Sequence, residues 1–306
     1  ESDASFLHLQ PHIAVVTNID TDHMATYSGD FDQLIDTFQT FLHNLPFYGL
    51  AVLCSDDLVI RDLRPHIRRP VVTYGVEAGA DYRATQIRQD GTRMQFEVAL
   101  MGERRIEVDL PIPGFHNVRN ALAAIAVADK VGIAADAITE GLRSFAGIDR
   151  RFEILGEMIL SPGQALLVDD YAHHPREIEA TLAAAQGCWP DRRKVVVFQP
   201  HRFTRTQELL DDFSALLDGV ACLVITEVYA AGEKPIPRAD GRALCRSIRS
   251  RGGVDPVFVP EIDQLKQALL PILRDGDVVL TLGAGDIGRA ARELVPPVRL
   301  QEGTYG

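Results

Sequence analysis

Five short runs of β-branched and large apolar residues punctuate the second half of the chain: ALLVDDY (165–171), KVVVFQP (194–200), CLVITEVY (222–229), PVFVP (256–260) and VVLTLG (278–283). Between them, apolar residues recur at helical spacing, as in Leu209, Leu210, Phe213, Leu216 and Leu217. Strands apolar on both sides that alternate with amphipathic helices predict a parallel sheet buried between two helical layers. The expected fold is α/β, with a Rossmann-like doubly wound domain from residue 150 and a polar tail at its end, to residue 306.

The first half is more mixed. AVVTNI (14–19), GLAVLC (49–54) and VVTYG (71–75) read as buried strands. Phe31, Leu34, Ile35, Phe38, Phe41 and Leu42 share one face of a helix that stops before Pro46. Residues 82–110 alternate with period two around Asp90-Gly91 and Gly102-Glu103, the pattern of antiparallel hairpins. An alanine-rich helix follows over 117–131. Residues 1–149 therefore read as part of an α/β sheet with an antiparallel edge, its opening strands outside the 306 residues. The join near Gly147–Arg151 reads as a hinge.

Composition narrows the function classes. A chain of 306 residues fits two domains. A net charge of -12 argues against a nucleic-acid surface, which needs clustered Lys and Arg. No apolar run approaches the roughly 20 residues that span a bilayer. ESDASFLHLQ is acidic and polar, has no methionine and directly precedes a strand, so the chain is expected to be the later part of a longer one. Cys54, Cys188, Cys222 and Cys245 form no CxxC pair and read as buried reduced thiols.

Several segments could carry chemistry. TNIDTDHMATY (17–27) puts Asp20, Asp22 and His23 past a strand end, where a carboxylate or imidazole could hold Mg²⁺; an Asp-rich turn before a helix is the plainer reading. Asn117 and Asn120 lie one turn apart at a helix start and suit a purine edge, or serve as caps. Arg150 and Arg151 could clamp a polyphosphate, or lie on the surface. VDDYAHHPRE (168–177) is the most informative: Asp169, Asp170, Tyr171, His173 and His174 at a strand end are a poor choice for stability alone. His201, Arg202 and Arg205 follow the next strand, and neighbouring strand ends would bring them near His173, where arginine forks suit a carboxylate. GAGDIG (283–288) matches GxGxxG, yet it closes the last unit rather than the first, so a tight turn into a helix, lining an anion pocket, is the better reading. No GxxxxGK[ST] segment occurs.

ESDASFLHLQP, VVTNIDTDHM, FLHNLPFYG, GFHNVRNALAA, DRRFE, VDDYAHHP, FQPHRFTRT, EVYAAGEKPI and GAGDIG, in this order, resemble the Mur ligases of peptidoglycan synthesis. The resemblance implies that residues 1–149 are the C-terminal part of a central ATP-binding domain and 150–306 an amino-acid-binding domain. It implies ATP and Mg²⁺ as cofactors, L-alanine and UDP-N-acetylmuramate as partners, and a bacterial cytoplasmic enzyme. By the same resemblance His23 and, less directly, Glu1 would hold the metal. Asn117 and Asn120 would contact adenine, Arg151 a phosphate, and Asp170 a ribose or the metal. Tyr171, His173, His201, Arg202 and Arg205 would line the L-alanine and reaction centre, with His173 a candidate base. Two features depart from the family pattern. Ala172 stands where glycine is expected, and residues 24–50 contain no lysine that could be carbamylated. Lacking a phosphate loop, the 306 residues alone are expected not to turn over. The rival readings are a murein tripeptide-recycling ligase of the same family, a nicotinamide-dependent oxidoreductase resting on GAGDIG, and a non-catalytic binding remnant.

Overall fold

The computed structural model describes residues 3–21, 24–102 and 104–296. The chain forms two compact units, Glu1–Ala146 and Gly147–Gly306.

The first unit is built on a six-stranded sheet whose strands follow chain order: β1 (Ile13–Val16), β2 (Leu50–Cys54), β3 (Val71–Gly75), β4 (Tyr82–Asp90), β5 (Arg93–Ala99) and β6 (Arg105–Leu110). Strands β1 to β4 pair in parallel, and β4, β5 and β6 form the antiparallel edge. Helix α1 (Phe31–His43) starts where the Asp30 carboxylate accepts the orphan N–H groups of Asp32 and Gln33. A short α2 (Leu58–Leu63) is capped likewise by Asp57. Helix α3 (Phe115–Lys130) enters through Gly114 at φ +99°, a backbone that favours glycine, and buries Val118, Leu122, Ile125 and Ala126. Helix α4 (Ala135–Arg143) buries only Ile138 and packs on β6 and α3. The AVVTNI strand ends at Val16, the last residue paired with β2, and Ile19 folds back into the core.

The second unit contains β7 (Glu153–Ile159), β8 (Gln164–Asp170), α5 (Pro175–Cys188), β9 (Lys194–Phe198), α6 (Phe203–Glu208), α7 (Leu210–Leu217), β10 (Cys222–Thr226), α8 (Gly241–Arg251), β11 (Val257–Val259), α9 (Leu265–Leu269), β12 (Val278–Leu282) and α10 (Ile287–Leu294). The sheet order is β11-β10-β9-β12-β8-β7, parallel throughout except for β7. Side chains of β9 alternate between two cores, as period two requires: Val196 and Phe198 pack with α5, α7 and α8, while Val195 and Val197 pack with α9 and α10. Helices thus cover both faces, and the doubly wound expectation is met. The antiparallel edge strand β7 was not expected. Its half-exposed alternation lacks the continuous apolar signal of the buried strands. Nor are β8 and β9 neighbours, as consecutive strands were expected to be. The last strand, β12, lies between them. The polar tail over 297–306 lies outside the described residues. Among the described residues no helix is long and apolar enough to cross a membrane.

Candidate functional site

The carboxyl edge of the second sheet is held together by the two aspartates that end β8. Asp169 is fully buried and accepts hydrogen bonds from Thr281 Oγ1 at 2.8 Å and Arg150 Nε at 2.9 Å. Asp170, pointing to the other face, accepts from Phe152 N (3.0 Å), Ala172 N (2.9 Å) and Thr181 Oγ1 (3.1 Å). Burial pushes the Asp170 carboxyl up, against the pull of these three donors and of Arg151. Between them the two acids pin the 150–152 turn, where Arg150 and Phe152 take positive φ values of +57° and +52°.

Arg150 and Arg151 separate sharply in role. The Arg150 guanidinium also donates to the carbonyls of Gly283 and Gly285, and it fills the space beside Gly288. The GAGDIG turn therefore presents carbonyl oxygens to a cation rather than an open nest of N–H groups to an anion, which opposes the anion-pocket and dinucleotide readings. Arg151 is half-exposed, with its Nη1 3.3 Å from Glu177 Oε1 and its guanidinium 5.5 Å from the Tyr171 ring centroid.

Above this edge runs a row of four rings. Tyr171 meets His173 edge-on at 5.4 Å, His173 lies 5.6 Å from His201, and His201 stacks on Tyr229 at 5.6 Å with 11° between planes. His173 and His201 belong to loops after β8 and β9, so β12 runs beneath their meeting point. They reach each other because the turn closing β12, Gly283-Ala284-Gly285, raises almost no side chain between them. A Cβ at Gly285 would strike Gln199 Oε1 and the Tyr229 side chain. Buried Gln199 fixes the same turn, donating from Nε2 to Asp286 Oδ1 at 2.6 Å and accepting from Ile287 N at 3.0 Å.

His173 Nδ1 lies 3.0 Å from the Tyr171 carbonyl and 3.3 Å from Glu177 Oε2. With two acceptors at Nδ1, the neutral ring carries its proton there and its lone pair on Nε2. Burial raises the Glu177 carboxyl, but the His173 N–H, the His173 ring, Arg151 and the His174 N–H outweigh it and hold the group below its ordinary range. His201 is pushed down to about 4, first by burial and then by His173, Arg205 and Arg202. The ring is consequently neutral at pH 7. An unfolded histidine takes up its proton near pH 6.5, so the folded unit loses stability as pH falls from there towards 4. In a two-dimensional NMR titration, His201 should hold its neutral shifts from pH 8 to 5.5; a midpoint near 6.5 would contradict this environment.

Arg202, at φ +68°, donates its backbone N–H to the Tyr229 carbonyl at 2.9 Å. Arg205 is buried, with Nη1 3.5 Å from His201 Nδ1. Tyr171, His173, His201, Arg202 and Arg205 thus gather on one edge of one unit. The sequence reading missed Gln199, Tyr229 and Glu177, all of which lie inside or beside segments it had singled out.

In the first unit, Asn117 Nδ2 donates to the Pro113 carbonyl at 2.7 Å, and Asn120 Nδ2 approaches Asn117 Oδ1 at 3.4 Å. Asn117 is half-buried and locks the loop into α3, while Asn120 is exposed and keeps its carbonyl oxygen directed outside this pair. Asp56, after β2, accepts from Val76 N, Glu77 N and Arg119 Nε, tying the carboxyl ends of β2 and β3 to α3. Asp20 accepts from Thr21 N at 2.7 Å. Glu1, Asp22 and His23 lie outside the described residues. Among the described residues no group of three or more His, Cys, Asp or Glu could hold a metal ion.

Residues 1–128 match the Mur ligase middle domain, and residues 150–285 match the domain described as Mur ligase, glutamate ligase domain. A UDP-N-acetylmuramate-alanine ligase (MurC) structure from Thermotoga maritima is 30% identical over 96% of this chain and 61% of its own, with a TM-score of 0.73. A murein peptide ligase from Psychrobacter arcticus is 23% identical over 94% of this chain and 58% of its own, at 0.65. A MurF ligase from Thermotoga maritima in complex with ADP, 18% identical over 93% of this chain and 61% of its own, matches at 0.68. The chain therefore spans about three fifths of these ligases, and the two with the lower identities speak for the fold alone. With two Mur ligase domains matched in order along the chain and their fold shared, the chain belongs to the Mur ligase family, as its middle domain followed by its C-terminal domain.

Proposed function

We propose that the protein containing this chain joins L-alanine to the lactyl carboxylate of UDP-N-acetylmuramate in the bacterial cytoplasm, a step of peptidoglycan precursor synthesis driven by ATP. Residues 1–149 supply the later part of the ATP-binding domain, and residues 150–306 bind the amino acid. The observation that carries the reading is the convergence of His173, His201, Arg202 and Arg205 on one sheet edge. The 30% identity to an alanine ligase supports the choice of amino acid.

A carboxylate is a poor acylating agent, and ATP with Mg²⁺ would activate it as an acyl phosphate while neutralising phosphoryl charge. The residues of this chain do the binding and the proton transfer. Arg202 and Arg205 take the alanine carboxylate, for which guanidinium forks are suited. The neutral His201 adds no charge beside them and offers a hydrogen bond instead. The amine must lose a proton as it attacks. His173 would accept it at Nε2, a role supported by Glu177 at 3.3 Å from Nδ1, which would stabilise the imidazolium that results. In the first unit, Asn120 presents an amide to the adenine edge, and Asn117 holds the loop that positions it. Arg151, half-exposed, suits a phosphate contact. Asp170 is the contact to ribose or metal that the resemblance implies. Glu1 and His23 would hold Mg²⁺.

The test is phosphate release by the full-length protein with ATP. Release should require L-alanine and UDP-N-acetylmuramate together. No response to that pair would end the proposal, and a response to a murein tripeptide in place of L-alanine would favour the recycling ligase. The 306 residues by themselves, without a phosphate loop, should bind L-alanine but not turn over.

A further inference from the structure

The loop that follows β10 grips the loop that follows β9 at both ends. Tyr229 N donates to the Pro200 carbonyl at 2.8 Å, and Arg202 N donates to the Tyr229 carbonyl at 2.9 Å, a two-bond ladder that brackets His201. Four residues on, Glu233 accepts from Thr204 N at 3.0 Å and Thr204 Oγ1 at 2.7 Å. The Tyr229 ring lies nearly parallel to the His201 imidazole and offset from it, with 5.6 Å between centroids and 11° between planes. The Tyr229 side chain also packs on the Gly285 turn, where no Cβ fits. The His201 ring is therefore held between Tyr229 and His173, with Arg205 Nη1 at its Nδ1 edge.

We propose that Tyr229 is a positioning residue for the amino-acid site, acting through His201: its ring fixes the imidazole plane, and its backbone sets the left-handed turn that aims Arg202. This rests on the ligase reading for its substrate, a small amino acid, but not for its geometry. Parallel rings at this separation are offset, the arrangement aromatic pairs prefer, and a flat side chain holds the neighbouring imidazole parallel to itself in this way. A branched aliphatic residue keeps the backbone ladder and much of the burial, yet leaves the ring free to rotate and water free to reach it. The charged and titratable groups around His201 are His173, Arg202, Arg205 and Glu233, together with the Tyr229 phenol itself.

Two variants separate stacking from bulk: Tyr229→Leu and Tyr229→Phe. In the 306-residue chain, NMR titration of His201 should show its midpoint rising from about 4 by about one pH unit in the leucine variant, because water regains the ring. The phenylalanine variant should superimpose on the wild type. In the full-length protein the leucine variant should raise the KM for L-alanine about tenfold or more, leave the KM for ATP unchanged, and be rescued by phenylalanine. A leucine variant whose His201 titration superimposes on the wild type would overturn the proposal. If the full-length wild type shows no alanine-dependent phosphate release, the ligase reading fails, and the titration still decides whether Tyr229 positions His201.

Discussion

Arg150→Ala should destabilise the second unit by about 3–5 kcal/mol, the range found when one partner of a buried ion pair is removed. The reason lies at Asp169, whose side chain is wholly shielded from water and faces the Arg150 guanidinium at 2.9 Å. Without the arginine, the buried carboxylate keeps the Thr281 hydroxyl as its hydrogen-bond donor among the described residues, and the Gly283 and Gly285 carbonyls lose the donor that closes their turn. Lysine should recover part of the loss, since it restores charge but cannot reach the acid and both carbonyls with one planar fork. Trp189 is the chain's single tryptophan and stacks on Phe152 at 5.9 Å, so its fluorescence during urea unfolding follows this unit alone. An alanine variant with the wild-type midpoint and slope would show that the ion pair holds nothing together.

Asp170→Ala is expected to cost about 3 kcal/mol in the same experiment, because three buried donors lose their acceptor together. Asp170→Asn should fall between alanine and wild type. Its amide oxygen can still accept from Phe152 N and Thr181 Oγ1, but its NH₂ then faces the Ala172 N–H, donor against donor. The comparison also bears on function. If the alanine variant keeps its urea midpoint but the full-length protein loses ATP affinity, the carboxylate is a ligand contact and not a clamp. If stability falls first, the clamp is its primary role.

Adjacent like residues show where reading a sequence stops. Asp169 and Asp170 are indistinguishable by composition, and so are Arg150 and Arg151. Strand geometry turns consecutive side chains to opposite faces, so one aspartate takes the Arg150 guanidinium while the other fastens a turn. Nothing local says which arginine folds inward. The same limit applies to GAGDIG: its glycines announce close packing, but only the fold reveals that the close neighbours are Arg150, Gln199 and Tyr229.

What the sequence determined by itself is local and periodic. Continuous apolar runs specified the buried parallel strands, period two specified the hairpins over 82–110, and Pro46 marked where a helix must stop. The grouping of Asp169 to His174 and of His201 to Arg205 at strand ends was likewise legible, because unneeded polar residues at buried strand ends stand out. Tertiary structure alone decided that β12 enters between β8 and β9, and that a turn nearly free of side chains lets His173 and His201 meet above it. Hydrophobic periodicity records which face of an element is buried. It carries no record of which distant element lies alongside, and that choice is made only when the whole sheet packs.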